Sequence, residues 1–236
     1  MTDPIVIAPN LKKRLSGVTA TIARLVPLQA CKIAIKATGP GLPANTPHIS
    51  LTRVALLARE PLRVWHARRN VKMLLGLGFK VVLRKNWKLL FTSASQREHS
   101  GYTKWLISHM DAVVATSAKG AAYLAKPATV VHHGIDPAQF YPADKSDLRA
   151  HLGLPDGRLI GCFGRIRAQK GTDVFVDAVL ANLASHPDIT GIILGRATKD
   201  HTAFEQGLKD KISAAGLTDR IRFCGEVTVD AIPEWY

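Results

Sequence analysis

Short apolar runs rich in Val and Ile alternate with longer stretches of helical spacing along nearly the whole chain, and this limits the fold more than any other feature. The runs lie at residues 5–8, 32–37, 63–66, 89–92, 112–115, 129–132, 159–163, 191–194 and 221–224. Helical spacing occupies 18–29, 68–77, 97–109, 118–124, 145–151, 173–184 and 203–214, with a last helix opening near Asp230. Strands followed by helices form βαβ units, and such units build parallel sheets. Runs such as LIGCF and GIILG show no polar alternation, as expected of strands covered on both faces. The expected class is α/β.

A break in this rhythm divides the chain. Residues 134–157 carry Pro137, Pro142 and Pro155 with Gly134, Gly153 and Gly157 around one short helix, after which RLIGCFG restarts a strand. Two lobes are expected, 1–137 and 138–236. The 236 residues are enough for two small domains. The first lobe reaches five or six strands, whereas the second holds three, fewer than an open doubly wound domain normally needs.

Charge separates the same two regions. Residues 1–130 hold 20 Lys or Arg against four acids, a net of +16, while residues 131–236 hold 12 against 14, a net of −2. Solvation explains a modest excess but not a difference of 18 between neighbouring segments, so the first lobe is expected to face something anionic. Lys12, Lys13, Arg14, Arg68, Arg69, Lys72, Arg84, Lys85 and Lys88 form three patches interleaved with Trp65, Leu74, Leu75 and Trp87. No run approaches the roughly 18 apolar residues of a membrane span. The N-terminal apolar run at 5–8 precedes its positive charges, unlike a signal peptide. Cys31, Cys162 and Cys224 are widely spaced without CxxC, and the latter two are expected as buried, inert thiols. A reducing cytoplasm fits all of this.

Two segments point to anion chemistry. The first strand leads into PNLKKRLSGVTATIARL, where Ser16 and Gly17 precede a helix with Val18, Ile22, Leu25 and Val26 on one face. Gly17 would let backbone approach a ligand, and free N–H groups at the helix start attract phosphate. An ordinary Ser N-cap accounts for Ser16 equally well; Lys12, Lys13 and Arg14 beside it favour an anion site. The second segment, GCFGRIRAQKGTDVFVDAVL at 161–180, is more specific. A strand ends at Gly164, Arg165 and Lys170 flank a loop, and Gly171 with Thr172 opens a helix buried by Val174, Phe175, Ala178 and Val179. Asp173 and Asp177 lie near the helix start, where the dipole favours carboxylates. Two cations at a strand's C-terminal end, before a helix N-terminus, make a diphosphate cradle. Each cation about 4 Å from a phosphate oxygen contributes about 4 kcal/mol at an effective dielectric near 20, before desolvation. A charged, solvated loop is the plainer alternative.

Here a family resemblance enters. VVHHGIDPAQFYP at 130–142, GCFGRIRAQKGTDVFVDA and IILGR resemble the donor half of family 4 glycosyltransferases with the GT-B fold. VIAPNLKKRLSGVTATI, GPGLP, VWHARRN, LLFTSASQREHSGYTKWLISHMDAVVATS and HHGID resemble bacterial lipopolysaccharide core mannosyltransferases more narrowly. The resemblance implies two Rossmann-like doubly wound lobes, the second incomplete. It implies retaining transfer of mannose from GDP-mannose to a lipid-linked inner core bearing Kdo on lipid A, at the inner face of the cytoplasmic membrane. Ser16, Gly17, Gly164, Arg165, Lys170, Gly171 and Arg196 would hold the donor, with Gly134 and Asp136 on the linking loop. Lys12, Lys13, Arg14, Arg68 and Arg69 would meet the anionic acceptor. No metal and no cofactor beyond the nucleotide-sugar co-substrate is implied, and His132 and His133, adjacent on a strand, would point to opposite faces.

Departures from the family pattern matter. Where many members carry a histidine, this chain has TSASQREH with Ser93 near the position; His66 is an alternative catalytic group, with a structural role equally open. The family's glutamate pair around a glycine-rich turn is missing, as is the closing C-terminal helix, which implies a donor lobe cut short. Glu226 and Glu234 stand eight apart but lack that context. Two rivals stay open. An inactive remnant of such an enzyme keeps the ancestry. A nucleic-acid-binding protein fits the pI near 10.0, but no helix-turn-helix, zinc-finger or RNP pattern occurs and aromatics are only 6%.

Overall fold

The computed structural model describes residues 3–11, 17–142, 144–228 and 231–236. Lys12, Lys13, Arg14 and Ser16 therefore lie outside the described residues. The chain divides after Gly134 into two compact units. In the first, β1 (Val6–Pro9), α1 (Gly17–Ala30), β2 (Ile35–Thr38), α2 (Leu51–Leu56), β3 (Arg63–Ala67) and α3 (Asn70–Val81) follow in order. They continue with β4 (Trp87–Ser93), α4 (Gly101–Ser108), β5 (Ala112–Ala115), α5 (Ala118–Ala121) and β6 (Thr129–Val130). The second unit runs α6 (Lys145–His151), β7 (Arg158–Phe163), α7 (Thr172–Asn182), β8 (Ile189–Leu194), α8 (Thr202–Ala214) and β9 (Ile221–Gly225).

Both sheets are parallel. The first has the order β2-β1-β3-β4-β5-β6 and the second β7-β8-β9. In the first sheet the chain steps one way from β1 to β2 and the other way through β3 to β6, so winding reverses between β1 and β3. A parallel sheet of this kind binds ligands at the carboxyl ends of its strands, beside such a reversal. All nine expected strands form. The expected helices form too, except that the chain after residue 230 makes a 3-10 turn at Ile232–Trp235. The added helix, α2, has six residues, too few for a period of 3.6 to declare itself. It is set by Ser50, whose hydroxyl accepts from the Arg53 N–H at 3.2 Å.

Apolar spacing explains which faces are covered. Ile22 and Val26 of α1 pack on Ala8, Ile35 and Ala37, while α2, α3 and α4 cover a separate core on Trp65, Trp87, Leu89 and Phe91. Trp65, Trp87 and Phe79 form a three-ring cluster, with Trp65 stacked on Trp87 at 5.6 Å and edge-on to Phe79 at 5.4 Å, and Phe79 edge-on to Trp87 at 5.0 Å. Its indole N–H donates to the Lys72 carbonyl at 2.8 Å, and α3 comes so close that a Cβ on Gly76 would stand 2.3 Å from the ring. Burying an apolar side chain of this kind contributes about 1.5–3 kcal/mol. This corrects the sequence reading of the basic patches: Trp65 and Trp87 are core, and Lys72 is buried with them. Arg63, the first residue of β3, is also buried. It donates to the carbonyls of Pro4 (3.1 Å), Ala58 (2.8 Å) and Pro61 (3.2 Å).

In the second unit Val176 and Val179 of α7 meet Leu208 and Ile212 of α8 over Ile193 and Ile221. Arg158 and Asp188 form a two-point pair at 2.6 and 2.9 Å that ties the starts of β7 and β8, and the guanidinium pulls the Asp188 carboxyl down to about 2. Cys162 and Cys224 are half-buried, not buried as expected, because their strands are covered less completely than their apolar runs suggest. Burial still pushes both thiols up, so they are poor nucleophiles. Cys31 is exposed.

Candidate functional site

The three strand ends of the second unit converge on a cleft of about 370 Å³. Phe163, Gly164 and Arg165 come from the end of β7, Leu194, Gly195 and Arg196 from the end of β8, and Glu226 and Val227 from beyond β9; Ile232 and Tyr236 complete the wall. Tyr236 stacks on Phe163 with centroids 4.8 Å apart. The two glycines are what let the strand ends meet. Gly164 and Gly195 have φ of 135° and 144°, and a Cβ on Gly195 would lie 1.7 Å from the Gly164 carbonyl oxygen. No side chain fits there. Arg196 is held by Glu226 at 2.8 Å, in a pair more than half exposed, so part of its charge is already balanced. Arg165 is exposed. An apolar, aromatic wall beside two guanidinium groups suits a flat ring carrying an anionic tail.

Lys170 and Gly171 lie on the same loop but outside the cleft walls. Lys170 ends a 3-10 turn at Ala168–Lys170, and Gly171, at φ 72°, starts α7 in a left-handed conformation. The exposed Lys170 side chain and the first N–H groups of α7 thus form a second positive feature one turn from Arg165. Three members of this site escaped sequence reasoning as ligand-facing groups. Gly195 carried a signal, a glycine directly after an apolar strand. Glu226 and Tyr236 carried none, because their arrival depends on how β9 and the turn at Ile232–Trp235 fold over the strand ends. A second groove of about 310 Å³ runs between α7 and β7 past Ile160, Phe175 and Leu183, but it gathers no charged side chain.

In the first unit the corresponding strand ends hold the other expected residues. Gly17 opens α1, and nothing lies within 4 Å of where its Cβ would stand. Asn10, buried after β1, donates to the Pro40 carbonyl at 2.7 Å and accepts from the Thr19 hydroxyl at 3.1 Å. Arg68 and Arg69 follow β3 directly, on the reversal side of the sheet, and Arg69 is the N-cap residue of α3. Burial lowers the Arg68 guanidinium from its ordinary value. His66, near the end of β3, meets the Thr92 hydroxyl at 2.7 Å. Burial first, then Arg68 and Lys72, push its ring down to about 3. At neutral pH it is an uncharged hydrogen-bonding group and a weak proton acceptor. Trp87 and its neighbours leave Lys88 exposed but paired with Asp111 at 3.4 Å, and Lys85 reaches the Leu57 carbonyl. His132 and His133 lie beyond the end of β6, exposed. Among the described residues no three His, Cys, Asp or Glu side chains gather as a metal site, and no helix is long and apolar enough to cross a membrane.

Residues 157–236 match the family model described as glycosyl transferases group 1. Over 99% of its length the chain is 51% identical to LpsB of Rhizobium meliloti, named a lipopolysaccharide core biosynthesis mannosyltransferase, and covers 68% of that protein. The chain belongs to the group 1 glycosyltransferases. LpcC of Rhizobium leguminosarum bv. viciae, which bears the same description, is 49% identical over the same share of both chains. Among solved structures, that of Anabaena HepE in complex with UDP superposes with a TM-score of 0.76 at 18% identity, covering 98% of this chain and 71% of that one. Sucrose-phosphate synthase from Thermosynechococcus elongatus gives 0.70 at 17%, over 100% and 73%. At such identities the likeness concerns the fold alone, and that fold is GT-B. In this glycosyltransferase the two parallel sheets are its two Rossmann-like lobes.

Proposed function

We propose that this glycosyltransferase moves mannose from GDP-mannose to an anionic, lipid-linked acceptor of the lipopolysaccharide inner core, with retention at the sugar carbon. The reading rests on one observation above all: the cleft that joins Arg165 and Arg196 to an aromatic wall at the ends of β7, β8 and β9. The nucleoside would lie against Phe163, Val227 and Tyr236. Its diphosphate would run past the exposed Gly164 backbone toward Arg165, with Lys170 and the start of α7 beyond. The sugar–phosphate C–O bond breaks, the acceptor hydroxyl oxygen bonds the same carbon, and its proton leaves with the departing diphosphate. Negative charge grows on that diphosphate as the bond breaks, so fixed cations stabilise the transition state more than the ground state. His66, neutral beside Thr92, would orient a hydroxyl without taking its proton.

The names of LpsB and LpcC favour mannose and the lipopolysaccharide core. The charge of the first lobe, +16 over residues 1–130, favours a phosphorylated acceptor met by Arg68, Arg69 and, outside the described residues, Lys12, Lys13 and Arg14. That acceptor would be reached at the inner face of the cytoplasmic membrane. No metal and no further cofactor takes part in this scheme. Calorimetric titration with GDP-mannose tests it. Saturable binding is expected, weakened about tenfold to a hundredfold in Arg165→Ala and less in Lys170→Ala, the range for losing a charge-assisted contact. Binding of UDP-glucose in preference to GDP-mannose would overturn the donor, and salt-sensitive binding to DNA without affinity for any nucleotide-sugar would overturn the whole reading.

A further inference from the structure

Helix α3 is built the wrong way round for a surface helix. At 3.6 residues per turn, Lys72, Met73, Gly76 and Phe79 fall on one side, and all four are buried. The opposite side carries Val71, Leu74, Gly78 and Val81, spaced three, seven and ten residues from the first. That side faces solvent, with Val71 65% and Val81 64% exposed and Val82 beyond them 76% exposed. A helix apolar all round is normally covered on all sides. The lysines of α3 do not relieve this: Lys72 is in the core, and Lys80 turns aside to Asp111 at 2.7 Å.

The neighbouring helix continues the surface. Asn70, the first residue of α3, donates to the Thr103 hydroxyl of α4 at 2.7 Å, so the two helices lie side by side on one face of the sheet. On α4, Tyr102 and Trp105 stack 6.3 Å apart and are each about half exposed, with His109 next in the row at 4.8 Å from Trp105. An aliphatic stripe thus stands beside an aromatic one. Contiguous apolar surface of this kind on a water-facing lobe marks an interaction site.

Charge decides what meets it. The acids of residues 1–130 are four, and each is engaged: Asp3 by Arg53 and Arg63, Glu60 by Asn86, Glu98 by Lys104, Asp111 by Lys80 and Lys88. Arg68 and Arg69 stand at one end of α3 and Arg84 just past the other. A second copy of this lobe would bring two surfaces of the same strong positive charge together. An anionic bilayer attracts that charge and accepts Val, Leu, Tyr and Trp side chains at its interface. We infer that the outer faces of α3 and α4 form a docking surface for an anionic lipid bilayer, with Val71, Leu74, Val81, Val82, Tyr102 and Trp105 entering the interface. The inference rests on the reading of the acceptor as lipid-linked.

Two measurements on the full chain test it. In the first, partition into phosphatidylglycerol–phosphatidylcholine vesicles is measured by flotation. Leu74→Glu combined with Val81→Glu is expected to weaken partition at least about tenfold. Leu28→Glu, on the exposed side of α1 over the other face of the sheet, leaves it unchanged. In the second, Trp235→Phe leaves Trp105 as the exposed indole, and vesicles made with brominated phosphatidylcholine are expected to quench it; this needs no change within the surface itself. Vesicle binding without quenching, equal binding by the double variant, or a lipid-free dimer dissolved by the same substitutions would each overturn the proposal. Titration with GDP-mannose in parallel keeps the two readings apart. Lost vesicle binding with intact nucleotide binding removes the docking surface alone, and the reverse removes the donor assignment alone.

Discussion

The two lobes begin with the same backbone device and finish it differently. In each, the residue after the first strand hydrogen-bonds to the last residue of the second: the Asn10 N–H to the Thr38 carbonyl at 2.7 Å, and the Gly164 N–H to the Leu194 carbonyl at 2.9 Å. In each, a left-handed glycine follows the second strand, and its Cβ would stand 1.7 Å from the carbonyl oxygen of that first residue. In the first lobe that residue is the buried Asn10, whose side chain ties the Pro40 carbonyl to Thr19 of α1. In the second lobe it is another glycine, and the space stays open between two arginines. At equivalent positions one strand end carries a buried amide side chain and the other an exposed glycine in the wall of a cleft. Close approach is a property of the fold, and occupancy is a property of the residue.

Gly39→Ala gives the largest expected effect. The first lobe is packed around Asn10 and has no room to shift, so a loss of about 3–5 kcal/mol is expected in urea or thermal unfolding. Gly195→Ala meets the same clash beside exposed Gly164, where the loop can yield, so about 2–4 kcal/mol is expected. Its sharper mark is loss of GDP-mannose binding in calorimetry. Equal losses in both variants, with binding intact in the second, would break the comparison.

His66 sharpens it from the first lobe's side. Its ring is held down to about 3 in the fold, against an ordinary 6.5 when unfolded. Below pH 6.5 the unfolded chain therefore takes a proton that the folded chain refuses. The stability carried by the neutral ring is complete above that pH and is lost as pH falls toward 3. At pH 5 the loss is about 2 kcal/mol. His66→Gln should flatten the stability profile between pH 7 and 5 by that amount; an unchanged slope would mean the ring is not held neutral. The smallest effect is expected at the rim of the open cleft. Glu226→Gln breaks an exposed ion pair worth about 0.2–1 kcal/mol. By releasing Arg196 it should tighten nucleoside diphosphate binding a few-fold. Weaker binding would mean Glu226 itself meets the ligand.

Much of this was legible in the residues. Nine apolar runs became nine strands because a two-sided parallel strand needs an uninterrupted apolar stretch, and chance rarely supplies one. Gly164 and Arg165 stood out because an apolar run ends there at a glycine followed by a cation, and both line the cleft. Helix α2 was hidden by its length, and the burial of Trp65, Trp87 and Lys72 by the sheet order, which no local pattern encodes. Their neighbours are distant in sequence, so a basic and aromatic patch on paper became a core with its lysine inside. Glu226 and Tyr236 were hidden for the same reason: they reach the cleft only after three strands have lined up. The apolar outer side of α3 was present in the sequence but unreadable there, since period alone does not say which of two apolar sides faces in.

The grip of Arg63 has a practical consequence for handling the chain's front end. Its guanidinium reaches the Pro4 carbonyl at 3.1 Å and the Asp3 carboxylate at 3.8 Å, so the described residues just ahead of β1 are fastened to the buried start of β3. Disturbing the backbone at Pro4 would leave that buried cation short of one of its three carbonyl partners, so a label is better placed elsewhere.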